Sequence, residues 1–285
     1  MATKILCVIG PTASGKTARA VEEALKRNGE IISVDSRQVY RGLDIGTEKV
    51  THGEMRGVPH YLIDIREPDE PYSAGEFVAD AKRLVKDITA RGKLPILVGG
   101  SHFYFDALFH GLPPETPENP KLRAFLEALP DDDLYARVRE LDPKRAAKLD
   151  PKNRRRLIRA LEIIEAYGKV PKRTPPKEQY DAEWILLEPA DEKLHARIET
   201  RLKETLAKGL VEEVRRVREQ VGDERLDELG LEYRVIGEYL RGLRTEESLV
   251  PALTSKLWQY ARRQKAWLRK LRDEVIEYKT KSPSV

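Results

Sequence analysis

Short apolar segments alternate with amphipathic segments over the first hundred residues. The apolar segments have little polar alternation, and they are KILCVIG (4–10), EIISVD (30–35), HYLIDI (60–65) and LPILVGG (94–100). Residues 15–27 and 74–91 lie between them and carry apolar side chains at helical spacing. Continuous apolar strands separated by helices predict a parallel sheet that is covered by helices on both faces.

The pattern changes near residue 111. A turn-rich linker at 111–120 leads into helical patterns over 121–168, and a Pro- and Lys-rich stretch follows. The segment WILLEP (184–189) predicts one further strand, and a helical pattern continues from about residue 192 to the C-terminus. The predicted organisation is a sheet core formed by 1–112 and 183–285, interrupted by a small all-helical insertion domain at 113–182.

A glycine-rich segment joins the first strand to the first helix. Gly10, Gly15, Lys16 and Thr17 fit the spacing G-x-x-x-x-G-K-[ST], which forms a phosphate loop in this structural context. The glycines let backbone N–H groups converge on phosphate oxygens, Lys16 supplies a positive charge, and the Thr17 hydroxyl suits a bridging Mg²⁺. The predicted fold class is therefore α/β with a P-loop nucleoside-triphosphate-hydrolase-like sheet, and the motif by itself indicates nucleotide binding, ATP included.

The rest of the core does not require phosphoryl transfer. Asp35 and Asp64 follow apolar segments and are candidates for the carboxylate that holds magnesium in kinases. However, the fourth apolar segment ends in Gly99–Gly100 rather than Asp, and no segment reads as an arginine-rich lid. A small-molecule kinase stays open as an alternative. Asp35 also has the position of a general base at the carboxyl end of a strand.

Basic residues are concentrated in two segments, although the net charge of the 285-residue chain is only +4. Residues 144–159 include eight basic residues and one acid, and 255–272 include seven basic residues and no acid, with Trp258, Tyr260 and Trp267 among them. Such clusters favour a polyanionic partner. We expect at least one of the two tryptophans to belong to the core.

Composition limits the location of the protein. No apolar run approaches the roughly 18 residues that a membrane span needs, so we expect no membrane association. The single cysteine, Cys7, lies in the first strand, where it is expected to be a small core residue in a reducing cytoplasm.

Eight sequence blocks occur in an order that resembles one family. They are GPTASGKT (10–17), DSRQVYRGLDIGT (35–47), VPHYLIDI (58–65), YSAGEF (72–77), LVGGSHFY (97–104), RRLIRALE (155–162), RIETR (197–201) and YARRQKAWLR (260–269). Together they are similar to the tRNA dimethylallyltransferase family, also called tRNA isopentenyltransferases. The resemblance extends over nearly the whole chain.

The resemblance implies a reaction. Members of this family transfer the dimethylallyl group of dimethylallyl diphosphate to the exocyclic amine of the adenosine 3′-adjacent to the anticodon, and pyrophosphate leaves. The phosphate loop would then hold a leaving group. The implied partners are dimethylallyl diphosphate and the tRNA anticodon stem-loop, the implied cofactor is Mg²⁺, and a monomer is expected.

The resemblance also implies roles for individual residues. Asp35 would accept the amine proton, Lys16 would stabilise the leaving group, and Ser101 would contact the acceptor. The diphosphate-binding set comprises Gly10, Thr12, Ala13, Ser14, Gly15, Lys16, Thr17 and Arg201, with Thr17 also holding Mg²⁺ through its hydroxyl. The tRNA-binding set comprises Asp35, Ser36, Arg37, Gln38, Ser101, Arg123, Arg155, Arg156, Leu157, Ile158 and Arg159.

Two departures from the family pattern lie next to each other. Ser101 stands where the family has Thr, which keeps the hydroxyl, and His102 replaces a smaller residue; we expect His102 to be a surface histidine. The insertion is shorter than in many members.

An adenylate isopentenyltransferase acting on free AMP, ADP or ATP shares the loop and the aspartate, but it would not need the basic surface. An RNA-binding GTPase-like module would need an NKxD-type motif, which the sequence lacks.

Overall fold

The computed structural model describes residues 2–117, 119–173, 176 and 180–281, with side chains described as far as residue 273. Two compact units are present in the chain. The first comprises Met1–Leu108 and Glu178–Val285, and the second comprises Phe109–Lys177.

A five-stranded sheet forms the centre of the first unit. Its strands are β1 (Thr3–Ile9), β2 (Gly29–Val34), β3 (His60–Tyr61), β4 (Leu94–Gly99) and β5 (Tyr180–Leu186). They lie in the order β3-β2-β4-β1-β5, and every neighbouring pair is parallel. The predicted parallel sheet is confirmed. The central strands are buried along most of their length, Cys7 included, which explains their continuous apolar sequences.

The register of the three central strands aligns their carboxyl ends. Gly99 at the end of β4 pairs with Ile9 of β1 on one side and with Val34 of β2 on the other. A Cβ on Gly99 would lie 2.0 Å from the Val34 carbonyl oxygen, so only glycine fits this close approach. The segments that follow β1, β2 and β4 consequently begin side by side.

Twelve α-helices and a short 3₁₀-helix occur in the described residues. The α-helices are α1 (Lys16–Arg27), α2 (His52–Met55), α3 (Ala74–Ala90), α4 (His102–His110), α5 (Pro120–Ala128), α6 (Asp131–Leu141), α7 (Pro143–Ala146), α8 (Arg154–Tyr167), α9 (Asp191–Ala207), α10 (Leu210–Glu228), α11 (Leu231–Leu240) and α12 (Leu249–Lys281). Local sequence explains several boundaries. Ser73 and Glu76 form a capping box at the start of α3. None of the helices, as far as they are described, has the length and apolarity to cross a membrane.

Helices α5 to α8 form the second unit around a small core. Leu134 and Val138 of α6 and Leu157 and Leu161 of α8 are buried in this core. Asn153 caps the start of α8 through its side chain, and Gly168 ends the helix with a φ of 73°. The expectation of an all-helical segment here is confirmed.

Two strand boundaries differ from the sequence-based prediction. Strand β3 stops at Tyr61, because Leu62 and Asp64 have φ angles of 63° and 55°, which cannot continue a strand. Strand β5 begins at Tyr180 rather than near residue 184, and its first residue pairs with Thr3. The division between the two compact units falls after Leu108 and after Lys177, whereas the sequence placed it after residues 112 and 182. The first residues of β5 alternate in exposure at the sheet edge, so no apolar run marks them.

A buried carboxylate ties β2 to its neighbours at the other end of the sheet. Glu30 is 1% exposed. It accepts two hydrogen bonds of 2.6 Å from Arg91, one of 2.7 Å from Lys93 and one of 2.8 Å from Tyr61. The bidentate Arg91 guanidinium lowers the pKa of Glu30 from 4.5 to about 2. Desolvation of Glu30 opposes this shift, and the hydrogen bonds from Lys93 and Tyr61 add to it.

We predict that Glu30→Gln makes stability less dependent on pH in acid. Because the folded-state pKa is lowered, the stabilisation is present above pH 4.5 and is lost as the pH falls towards 2. Since Arg91 is half-exposed, we expect Glu30→Gln to lower the free energy of unfolding by about 2 kcal/mol at pH 7, and by progressively less below pH 4.5. Urea unfolding across this range measures the difference, with exposed Glu22→Gln as the control. A loss that is equal at every pH would contradict this assignment.

Candidate active site

The phosphate loop, residues 10–17, follows β1 and leads directly into α1. Ala13 and Gly15 adopt left-handed backbone conformations, with φ of 62° and 86°, and Ser14 N–H donates to the Pro11 carbonyl oxygen at 3.2 Å. This compact turn ends where Lys16 begins α1, so the loop amides and the positive end of the helix dipole share one location. This geometry suits an anion, and anion binding by the loop stays a prediction.

One side chain of the loop supports this interpretation directly. The Ser14 hydroxyl oxygen is buried and has no hydrogen-bond partner among the described residues. A Cβ on Gly10 would lie 2.4 Å from that oxygen, so glycine keeps this part of the loop open. A phosphate oxygen would accept the hydrogen bond that Ser14 otherwise lacks.

Lys16 and Asp35 line the same open crevice at the carboxyl end of the sheet. The crevice measures about 370 Å³ including open solvent, and Thr17, Ser33, Gln38 and Gly99 are also among its lining residues. Burial lowers the pKa of Lys16, and the positive charge of Arg201 acts in the same direction, whereas Asp35 and Glu48 oppose them. Bound anionic phosphate would favour the charged form of this lysine.

Arg201 on α9 reaches the phosphate loop, although 189 positions separate it from Thr12. Its Nη2 donates to the Thr12 hydroxyl oxygen at 2.7 Å, and its Nε forms an ion pair with Glu48. The structure thus places Arg201 beside the loop. Its binding of diphosphate stays a prediction.

Asp35 occupies the turn directly after β2. Its Oδ1 accepts backbone hydrogen bonds from Arg37 at 2.8 Å and from Gln38 at 3.3 Å. The Ser36 N–H donates to the Ser101 hydroxyl oxygen at 3.3 Å, which joins this turn to the segment after β4. The structure therefore brings residues 35–38, which were predicted to bind tRNA, next to Ser101 at the aligned strand ends.

Gln38 is fixed by contacts within the protein. Its Oε1 accepts from the Ser33 hydroxyl at 3.0 Å, and its Nε2 donates to the carbonyl oxygens of Thr47 and Glu48. Its amide therefore orders the crevice wall. Asp64, the alternative carboxylate for a metal, forms an ion pair with Lys49 instead.

A buried carboxylate that the sequence did not reveal holds the neighbouring loop. Glu213 on α10 is 2% exposed. It accepts hydrogen bonds from the backbone N–H groups of Asp44, Ile45 and Gly46 at 2.8–2.9 Å, and from the Tyr233 hydroxyl at 2.7 Å. A single glutamate on an otherwise ordinary helix gives no sequence signal for this role.

Glu232 adds a further titratable group next to Arg201. Both residues line a small cavity together with Glu48. Burial, assisted by the charges of Glu48 and Asp35 and opposed by Arg201, raises the pKa of Glu232 to about 7.

The oxygen donors of the crevice fit a hard cation. The Thr17 hydroxyl and the Asp35 carboxylate both line it, and hydroxyl, carboxylate and phosphate oxygens are the ligands that Mg²⁺ prefers. Among the described residues, no group of three or more His, Cys, Asp or Glu side chains could hold a metal ion. Mg²⁺ commonly binds with one or two protein oxygens, phosphates and water, which matches this donor set.

The predicted tRNA-binding residues of the second unit fall into two groups. Arg155, Arg156 and Arg159 are exposed on α8. Leu157 and Ile158 are 0% and 3% exposed because their side chains fill the core of the unit, and a tRNA contact at these two positions stays a prediction.

Three arginines of this unit, Arg123, Arg154 and Arg159, have acidic or carbonyl partners. Arg123 pairs with Glu127 and Glu162, and Arg159 also pairs with Glu162. Arg154 donates to Asp131 and to backbone carbonyl oxygens at the end of α5 and beyond, so it stabilises the unit.

Arg145 is a candidate for binding tRNA phosphate groups that the predicted tRNA-binding set did not include. Its Nε is buried and has no hydrogen-bond partner among the described residues. Burial lowers its pKa, and the neighbouring positive charges of Arg156 and Arg173 act in the same direction. Asp142 acts in the opposite direction, and the positive potential that Arg156 and Arg173 contribute near Arg145 suits phosphate groups.

His102 is half-buried, whereas we expected a surface histidine. It begins α4, and its ring centroid lies 5.7 Å from that of Trp267 on α12. Trp267 also packs against Phe105 at 6.2 Å, and Trp258 packs against a small apolar cluster around Leu194. Both tryptophans contact the protein interior, since each is half-buried.

Comparison with known proteins identifies relatives over almost the full length of the chain. The IPP transferase family profile matches residues 38–271. A tRNA dimethylallyltransferase from Anoxybacillus flavithermus is 40% identical over 274 residues, covering 94% of this chain and 88% of the relative. One from Roseiflexus sp. is 43% identical over 275 residues, covering 94% of this chain and 90% of the relative.

Solved structures agree with the sequence relatives. The full-length tRNA isopentenylpyrophosphate transferase from Bacillus halodurans is 37% identical with a TM-score of 0.71, covering 94% of this chain and 87% of that one. A eukaryotic dimethylallyltransferase acting on tRNA is 29% identical with a TM-score of 0.81, covering 94% and 70%. The crevice formed by the phosphate loop and Asp35 thus lies in a chain that belongs to the IPP transferase family and has tRNA dimethylallyltransferases among its relatives.

Proposed function

We propose that this protein transfers the dimethylallyl group from dimethylallyl diphosphate to the exocyclic amine of the adenosine 3′-adjacent to the anticodon of tRNA. The observation that carries the proposal is the shared crevice of Lys16, Thr17 and Asp35. In this crevice the phosphate loop at the end of β1 lies near the carboxylate at the end of β2, and β4 lies between these two strands. A donor diphosphate and an acceptor amine can meet there.

The phosphate loop binds and stabilises the leaving group. As the bond between the allylic carbon and the diphosphate oxygen breaks, negative charge grows on the diphosphate. Loop N–H groups, the Ser14 hydroxyl, Lys16 and Arg201 are the donors that stabilise this charge. Magnesium bound to phosphate oxygens and the Thr17 hydroxyl would supply further charge neutralisation.

Asp35 binds the acceptor amine. The backbone N–H groups of Arg37 and Gln38 hold Oδ1, so the orientation of the carboxylate is fixed before substrate binds. Oδ2 then accepts a hydrogen bond from the amine. The amine nitrogen forms a bond to the allylic carbon, its proton passes to Asp35, and pyrophosphate leaves with the electrons of the broken C–O bond.

The basic second unit favours tRNA over a free nucleotide as the acceptor. The exposed guanidinium groups of Arg155, Arg156 and Arg159, together with Arg145, suit a phosphate backbone. An adenine within a stacked anticodon loop must be extruded before it reacts, and contacts elsewhere on the RNA offset the unfavourable free energy of unstacking. A free adenylate needs no such surface.

A direct assay separates the candidate functions. The protein is incubated with labelled dimethylallyl diphosphate and Mg²⁺, and with either tRNA or AMP as acceptor. We expect label in tRNA and not in AMP. Label in AMP alone would instead identify an adenylate isopentenyltransferase, and release of ADP from ATP without prenyl transfer would identify a kinase.

We predict that Asp35→Asn lowers kcat by about 10²-fold or more, because the amide has the same shape but cannot accept the amine proton. The affinity for pyrophosphate, measured by titration calorimetry, should change less than about threefold. Asp69→Asn, an exposed substitution, provides the control. If Asp35→Asn retains near-normal kcat, Asp35 is not the base.

We predict that Arg156→Ala weakens tRNA binding. The negative slope of log K against log salt should become shallower by about 0.7–0.9, which is the contribution of one phosphate contact. Arg139→Ala, on the exposed face of α6 in the same unit, should leave the slope unchanged. Filter binding over a range of salt concentrations measures both. An unchanged slope for Arg156→Ala would show that this part of α8 faces solvent in the complex.

A further inference from the structure

One buried amide connects the two loops that would hold donor and acceptor. Gln264 on α12 is 4% exposed. Its Oε1 accepts from the Thr12 backbone N–H in the phosphate loop at 3.0 Å, and its Nε2 donates to the Gly100 carbonyl oxygen at 2.9 Å. Gly99–Ser101 is called here the acceptor loop because Ser101 hydrogen-bonds the turn that holds Asp35.

The chemistry of both partners fixes the orientation of the amide. A backbone N–H only donates and a backbone carbonyl only accepts, so Gln264 must direct its oxygen to Thr12 and its nitrogen to Gly100. Neither a carboxylate nor an ammonium group can do both. The requirement for an amide is thus set by two backbone groups that no substitution changes.

The contact is closely packed as well as hydrogen-bonded. A Cβ on Gly100 would lie 2.3 Å from Gln264 Nε2 and 3.1 Å from the Gly10 carbonyl oxygen. The acceptor loop therefore lies against both the phosphate loop and the amide.

Both ends of this bridge lead to residues with proposed roles. The Thr12 hydroxyl accepts from Arg201, which lies on the leaving-group side. Gly100 precedes Ser101, whose hydroxyl accepts from Ser36 next to Asp35. Gln264 therefore joins the loop that contacts Arg201 to the loop that contacts the Asp35 turn, through one hydrogen bond to each loop.

We propose that Gln264 is a positioning residue that sets the separation of the phosphate loop and the acceptor loop. Its role rests on the proposed transfer reaction. The allylic carbon and the amine nitrogen must approach within about 3–3.5 Å, and a displacement of about 1 Å can slow a reaction by about 10²-fold. Gln264 therefore governs kcat more than the binding of either substrate.

The test compares three substitutions on α12 in the full-length protein. Gln264→Met keeps the length and apolar volume and removes both hydrogen bonds. Lys265→Met removes the other buried anchor of this helix, which binds the Pro189 carbonyl oxygen and Asp191, but contacts neither loop. Gln259→Met changes an exposed glutamine on the same helix.

Gln264→Met should lower kcat by about tenfold or more, with the Kd values for pyrophosphate and tRNA within about threefold of wild type. Amide exchange of Thr12, followed by NMR, should accelerate, because its N–H loses its acceptor. Lys265→Met should lower the Tm without a matching loss of kcat, and Gln259→Met should change neither.

Gln264→Glu tests the two hydrogen bonds separately. It can still accept from Thr12 but cannot donate to Gly100, and it places a negative charge beside the phosphate loop. We expect it to lower kcat and also to raise the KM for the diphosphate donor.

The outcomes separate this proposal from the proposed function. If wild type transfers the group and Gln264→Met keeps normal kcat, the positioning role is wrong. Equal losses of kcat in Gln264→Met and Lys265→Met would assign the effect to helix docking and would also overturn it. If wild type shows no transfer, the function fails, while unchanged Thr12 exchange in Gln264→Met would still reject the bridge on structural grounds.

Discussion

The alignment of three parallel strand ends is the constraint on which this site depends. Gly99 pairs with Ile9 and with Val34, so the phosphate loop, the Asp35 turn and the acceptor loop all begin at the same level. Parallel pairing places carboxyl ends together, and the absence of a side chain on Gly99 allows the close approach of β2. The catalytic arrangement follows from backbone register before any side chain is considered.

Later segments of the chain complete this arrangement. Arg201 from α9, Glu213 from α10 and Gln264 from α12 reach the loops that follow the strands. They fix, respectively, the Thr12 hydroxyl, the backbone of residues 44–46 and the spacing between two loops. In the proposed reaction, the loop that positions a nucleotide phosphate in P-loop proteins would hold a diphosphate that departs as a leaving group.

The sequence predicted the parts of the site that are local in the chain. The phosphate loop and Asp35 are readable because their chemistry requires fixed residue types at fixed spacing beside a strand. Gln264 and Glu213 act across more than 160 positions, and nothing in their local sequence indicates it. The burial of Leu157 could have been anticipated, because its spacing from Leu161 is that of a core-facing helical pair.

The most direct test of this account is the joint measurement of pyrophosphate release and of the modified nucleoside in tRNA. The account predicts one pyrophosphate released for each dimethylallyl group attached, with the group on the exocyclic amine of the adenosine that follows the anticodon. Release of orthophosphate instead, or the absence of any isoprenoid nucleoside from tRNA treated with folded protein, donor and magnesium, would contradict it.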